Sequence, residues 1–149
     1  MPDTTPTLAG LTAFARGPAA IPQTAMPDGD PGFADALAFA LEWIPQWLLC
    51  ASATLYTAAV YNWSISLILE FQPDQAGQNF FKTLRDAYKV NNFVPGLVNS
   101  ASDNGTAGSI TVADATANMS LEDLQRVKDP FGRRALSIMQ SAGPLWGLS

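Results

Sequence analysis

The chain has 149 residues, enough for one domain with its own core, and carries a net charge of −5 at pH 7. Charged residues are only 14% of it, against about 25% in ordinary soluble domains, so lipid or copies of the chain are expected to cover part of its surface. The charge is uneven, −6 over residues 1–75 and +1 over residues 76–149, and no basic patch is large enough to grip nucleic acid.

Residues 1–32 are rich in Pro, Thr, Ala and Gly, with Pro2, Pro6, Pro18, Pro22, Pro27 and Pro31 interrupting any long element. They predict an extended N-terminal arm whose order depends on a partner, with room for a short helix over Leu8–Arg16 that docks on a neighbour. Asp28-Gly29-Asp30 looks like the opening of a calcium loop, but position 39, where the closing carboxylate would fall, is Phe39. Asp30-Pro31 is a helix start, a capping carboxylate followed by proline at the first helical position. Phe33, Ala34, Leu37, Ala38, Leu41 and Trp43 then recur at three- and four-residue steps along one face.

From Trp43 to Leu69 there is no charged side chain. The run predicts a second helix from Pro45 to about Phe71, apolar on nearly all sides and therefore buried on nearly all sides. Cys50, the only cysteine, lies within the run and is expected to behave as a small buried hydrophobe. Leu48–Leu69 is also long enough to span a bilayer core of about 30 Å. However, Ser52, Thr54, Thr57, Asn62, Ser64 and Ser66 make it polar for a lone span, and basic anchors are missing from its first flank. Gln72-Pro73-Asp74 ends the helix, and Asn79–Val90 predicts a third, with Phe80, Phe81, Leu84 and Tyr88 inward and Lys82, Arg85, Asp86 and Lys89 outward.

Beyond Pro95-Gly96 the residues become small, polar and β-branched. Asp103-Asn104-Gly105 suits a tight turn, so Val98–Ser102 and Gly108–Val112 predict a hairpin arm over about 97–116 that needs an adjacent surface. Ser120-Leu121-Glu122-Asp123 is a capping-box-like start of a short helix to Val127. Asp129-Pro130 starts another helix, to about Ala142, whose buried stripe is Phe131, Ala135, Ile138, Met139 and Ala142; Gly143-Pro144 stops it. A tail over 143–149 carries Leu145, Trp146 and Leu148. The fold class expected is mostly α: a small helical bundle, 33–149, with a long central buried helix and a β-hairpin or extended arm.

Catalytic equipment is sparse. There is no histidine, no Cys pair, no phosphate-binding glycine loop and no nucleophile elbow, so neither an enzyme nor a metal or cofactor site is expected.

The segment Asp129-Pro130-Phe131-Gly132-Arg133-Arg134-Ala135-Leu136-Ser137-Ile138-Met139, following a Gly-rich polar hairpin, resembles the small head-to-tail adaptor (connector) proteins of tailed bacteriophages. In that family a Thr-Pro-Tyr-Gly-like segment opens the last helix. Here Asp129 stands for Thr and still caps, Phe131 stands for Tyr and keeps the ring, and Gly132 lets a neighbouring backbone approach closely. The run YTAAVYNWSISLI is similar to the family's Ala-rich central helix, without the histidine usual there. The match covers about the last fifty residues plus that helix.

The resemblance implies a structural, non-catalytic virion protein made in the host cytoplasm and built into the neck. Its homo-oligomeric ring, commonly a dodecamer, would sit beneath the portal protein and line the channel through which DNA passes without specific binding. It further implies portal contacts by Leu145, Trp146 and Leu148. Contacts to a downstream neck or tail protein, or to a neighbour, would come from Ser102, Asp103, Asn104, Gly105 and Thr106, and subunit packing from Phe131, Gly132 and Ile138. A small single-span membrane protein, or another neck or tail-completion protein, is the alternative.

Overall fold

Among the described residues there are six helices, most of them with ends set by residues beside them. The computed structural model describes residues 5–91, 101–103, 106–108 and 125–142. Helix α1 is Leu8–Arg16, with the Thr7 hydroxyl accepting from Gly10 N at 3.1 Å. Helix α2 is Pro31–Trp43, capped as its sequence dictates: an Asp30 carboxylate oxygen accepts from Gly32 N at 2.9 Å. Next come α3 (Trp47–Ala51), α4 (Ala53–Phe71), α5 (Phe80–Tyr88) and α6 (Pro130–Ala142). Two three-residue strands, β1 (Ala101–Asp103) and β2 (Thr106–Gly108), pair antiparallel. The expected strands Val98–Ser102 and Gly108–Val112 overlap these only at Ala101, Ser102 and Gly108, and the other residues of the arm expected over 97–116 lie outside the described residues, as do the capping segment at Ser120 and the tail from Gly143.

Helix α4 is the axis. Helices α6 and α2 pack most extensively on it, and α3, α5 and α1 also touch it. Tyr56, Val60, Trp63, Ile65, Ile68 and Leu69 are buried on several of its faces, as an all-round apolar pattern requires. The polar residues of its middle turns are buried too, and its own backbone or a neighbouring element accepts from their donors, while Asn62 Oδ1 has no partner among the described residues. Asn62 Nδ2 donates to Ala58 O at 2.7 Å, Ser64 Oγ to Val60 O at 2.8 Å, and Ser66 Oγ to Asp129 at 2.6 Å. No helix among the described residues is long and apolar enough to cross a membrane.

Of the expected α2 face only Phe33 and Leu37 are buried, joined by Ala36 and Ala40, while Ala34, Ala38, Leu41 and Trp43 are exposed; three further expectations change. The single helix expected from Pro45 to Phe71 is two. At Ser52 the backbone is extended (φ −167°, ψ 120°), and its hydroxyl accepts from Leu55 N at 3.3 Å, so Ser52 closes α3 and caps α4. Cys50 is exposed, not buried, because the short α3 turns inward only at Leu48.

The third change concerns the N-terminal arm. From Thr7 to residue 30 it folds onto its own chain and is not extended. Leu11, Ala15, Ile21, Ala25 and Met26 are buried in the same core as Phe33 and Ile65. Arg16 causes this: Nη1 donates to Ile21 O at 2.7 Å, Nη2 to Met26 O at 2.5 Å, and Nε to Asp28 at 2.9 Å, while the guanidinium lies 5.6 Å from the centre of the Phe33 ring. The hydrogen bonds from Arg16 hold the Asp28 carboxyl below the usual carboxylate range. Helix α1 docks on α4 of the same chain, where Thr7 N donates to Tyr61 Oη at 3.0 Å.

Candidate functional site

Two features stand out on the side of α4 between α2 and the start of α6: a buried polar latch and an aromatic cleft beside it.

The latch begins with spacing. Ser66 and Glu70 are four residues apart and share a face of α4. Asp129 caps α6: Oδ1 accepts from Phe131 N at 2.9 Å and Gly132 N at 2.8 Å, leaving Oδ2 to accept from Ser66. One turn away, Arg126 Nη1 pairs with Glu70 at 2.5 Å and lies 3.4 Å from Ser66 Oγ. Gln125 Nε2 bridges Glu70 at 3.2 Å and Val90 O at 3.0 Å, so the end of α5 is tied in as well.

Only 4% of the Arg126 side chain is exposed, and its guanidinium sits 5.3 Å from the Trp63 ring centre. A buried pair of this kind is costly to break from one side, by about 3–5 kcal/mol. Its chemistry is structural. Ser66 and Asp129 are buried and committed to hydrogen bonds, Glu70 is partly buried and held by Arg126 and Gln125, and among the described residues no cluster of three or more His, Cys, Asp and Glu could hold a metal ion.

The cleft encloses about 520 Å³. Asp35, Phe39 and Trp43 form its α2 wall, Leu67, Ile68 and Phe71 its α4 floor and edge, and Arg126 closes the latch side. Trp43 stacks on Trp63 with ring centres 6.1 Å apart. Phe39, Trp43 and Phe71 are 61%, 53% and 68% exposed, unusual for large aromatic side chains set close together.

The residues expected to make contacts fall as follows. Gly132 is buried, and a Cβ there would strike the carbonyl oxygen of Arg126. The close approach foreseen from a neighbouring subunit is thus made by the chain's own backbone, six residues upstream, and Gly132 serves the latch. Phe131 and Ile138 are half-buried against the core. Ser102, Asp103 and Thr106 lie in the β1–β2 pair, while Asn104, Gly105, Leu145, Trp146 and Leu148 are outside the described residues. Sequence reasoning missed Arg126, Glu70 and Ser66 as a unit, as well as the exposed α2 edge. The only signal for the latch was the four-residue step from Ser66 to Glu70.

The chain matches no protein-family model, no curated protein and no solved structure.

Proposed function

We propose that the chain is a structural subunit that works by assembling with copies of itself: a head-to-tail adaptor of a tailed bacteriophage. In this reading it forms a ring in the neck of the virion, commonly of twelve copies, beneath the portal protein. Catalysis plays no part, and DNA passes through the lumen without specific binding.

One observation carries the reading. The described core is already filled by the chain's own helices, yet Phe39, Trp43 and Phe71 remain in water around an open cleft. Such a surface needs an occupant. A charge-poor subunit flanked on both sides in a ring supplies one. The start of α6 adds support, since Asp129-Pro130-Phe131-Gly132 is an intact capped helix opening of the kind the resemblance rests on.

Within this role the arm over 97–116, with Ser102, Asp103, Asn104, Gly105 and Thr106, engages a downstream neck or tail protein. The tail, with Leu145, Trp146 and Leu148, reaches the portal.

The test is co-expression with the portal protein encoded in the same genome, followed by gradient sedimentation and electron microscopy. The chain is expected to travel with the portal as an added ring, and a variant lacking Leu145–Ser149 to travel alone while keeping its helical circular dichroism. Full-length chain that never accompanies the portal, or that is recovered only in detergent extracts, would overturn the assignment.

A further inference from the structure

The chain solves the problem of seating a guanidinium twice in the same way. Arg16 lies against the Phe33 ring and pairs with Asp28; Arg126 lies against the Trp63 ring and pairs with Glu70. Each arginine takes one aromatic face and one carboxylate, a combination that suits a planar, weakly hydrated cation. A third set of these parts is present, but its arginine is missing. Asp35, Phe39, Glu42 and Trp43 follow one another at i, i+4, i+7 and i+8 along α2, so they share one edge of the helix, and all four are exposed. Neither carboxylate forms an ion pair among the described residues.

The complementary parts are on α6. Arg133 and Arg134 are exposed and form no ion pair among the described residues, and Arg134 shares an edge with half-buried Phe131 and Ile138 at steps of three and four. Helices α2 and α6 both pack on α4 but make no substantial contact with each other, so one molecule does not bring the two edges together.

We propose that the acidic, aromatic edge of α2 in one subunit receives the Arg133–Arg134 edge of α6 from a second copy. The choice of a second copy rests on the ring reading above; the charge complementarity is independent of it. In the ring reading the contact is heterologous: each copy keeps one free edge of each kind, and the array grows until it closes. The edges are narrow and solvent-facing, so a single contact is weak and salt-sensitive, and closure supplies the stability.

Sedimentation velocity on the full chain tests this. The wild type is expected to self-associate with rising concentration, less so in high salt. Asp35→Arg with Glu42→Arg, and separately Arg133→Glu with Arg134→Glu, should each weaken association by at least about tenfold. All four positions are exposed, so circular dichroism should stay unchanged. An equal mixture of the two variants should associate again, because every contact in it once more pairs opposite charges.

A wild type monomeric at the highest soluble concentration, a variant that associates like the wild type, or a mixture that stays monomeric would each overturn the proposal. Portal binding does not enter this measurement, so failure here leaves the adaptor role standing, and failure to bind the portal leaves this contact standing.

Discussion

At the scale of single residues, Arg16 does more for the fold than its place in a Pro- and Gly-rich segment suggests. It is the only base among the first 75 residues, and its donors hold the carbonyls of Ile21 and Met26, two residues buried in the core. Replacing it with alanine leaves those carbonyls without their partner and uncovers the Phe33 ring. Arg16→Ala is therefore expected to lower stability by about 2–4 kcal/mol, readable as a shift in the urea midpoint. Asp28 contributes with a defined sign. Its carboxyl is held below the usual range in the folded chain, so its contribution is complete above the ordinary carboxylate range and disappears as pH falls through the lowered value. Asp28→Asn should flatten the loss of stability below about pH 4 and leave the effect of alkali untouched; an acid limb as steep as that of the wild type would show the pair to be inert.

At the scale of elements, legibility divides by distance along the chain. Helices whose ends are written next to them were readable. Asp30-Pro31 opens α2, Asp129-Pro130 opens α6, and Gln72-Pro73 follows the end of α4. Ser52 is the exception, a local cap that reads as one more small residue in an apolar run although its hydroxyl divides α3 from α4. What came from afar was not readable. Asn79, where the third helix was expected to begin, makes no side-chain cap bond. The cap is Asp74, whose two carboxylate oxygens accept from Phe81 N at 2.7 Å and Lys82 N at 2.9 Å across an intervening turn. The latch was hidden for the same reason: Ser66 and Asp129 are 63 residues apart. The α5 assignment has a direct check. Asp74→Ala should cost about 1–2 kcal/mol and Asn79→Ala only a few tenths, compared by thermal unfolding of the two variants. The opposite order would place the cap at Asn79.

At the scale of the whole molecule, the sequence posed one question: what shields a run of 27 uncharged residues, Trp43 to Leu69, from water. The described helices answer for the second half of the run, where Val60, Ile65 and Leu69 are buried against α1, α2, α5 and α6. They do not answer for its first half, where Trp43, Trp47, Leu49 and Leu55 stay exposed, or for Phe39 and Phe71 just outside it. Hydrophobicity alone did not separate these two groups, because an interface residue and a core residue have the same composition and differ only in what covers them. Stability measurements separate them. A residue that meets its partner only in the assembly adds little to the isolated chain, so Phe39→Gln and Phe71→Gln should each change unfolding free energy by no more than about 0.5 kcal/mol. Ile65→Ala, in contrast, opens a void in the packed interior and should cost about 2–5 kcal/mol. Measured in dilute solution, where the chain is monomeric by mass action, the contrast isolates the fold from the assembly. If Phe39→Gln or Phe71→Gln proves as damaging as Ile65→Ala, the cleft belongs to the core of a single chain, and the surface assigned to a partner does not exist.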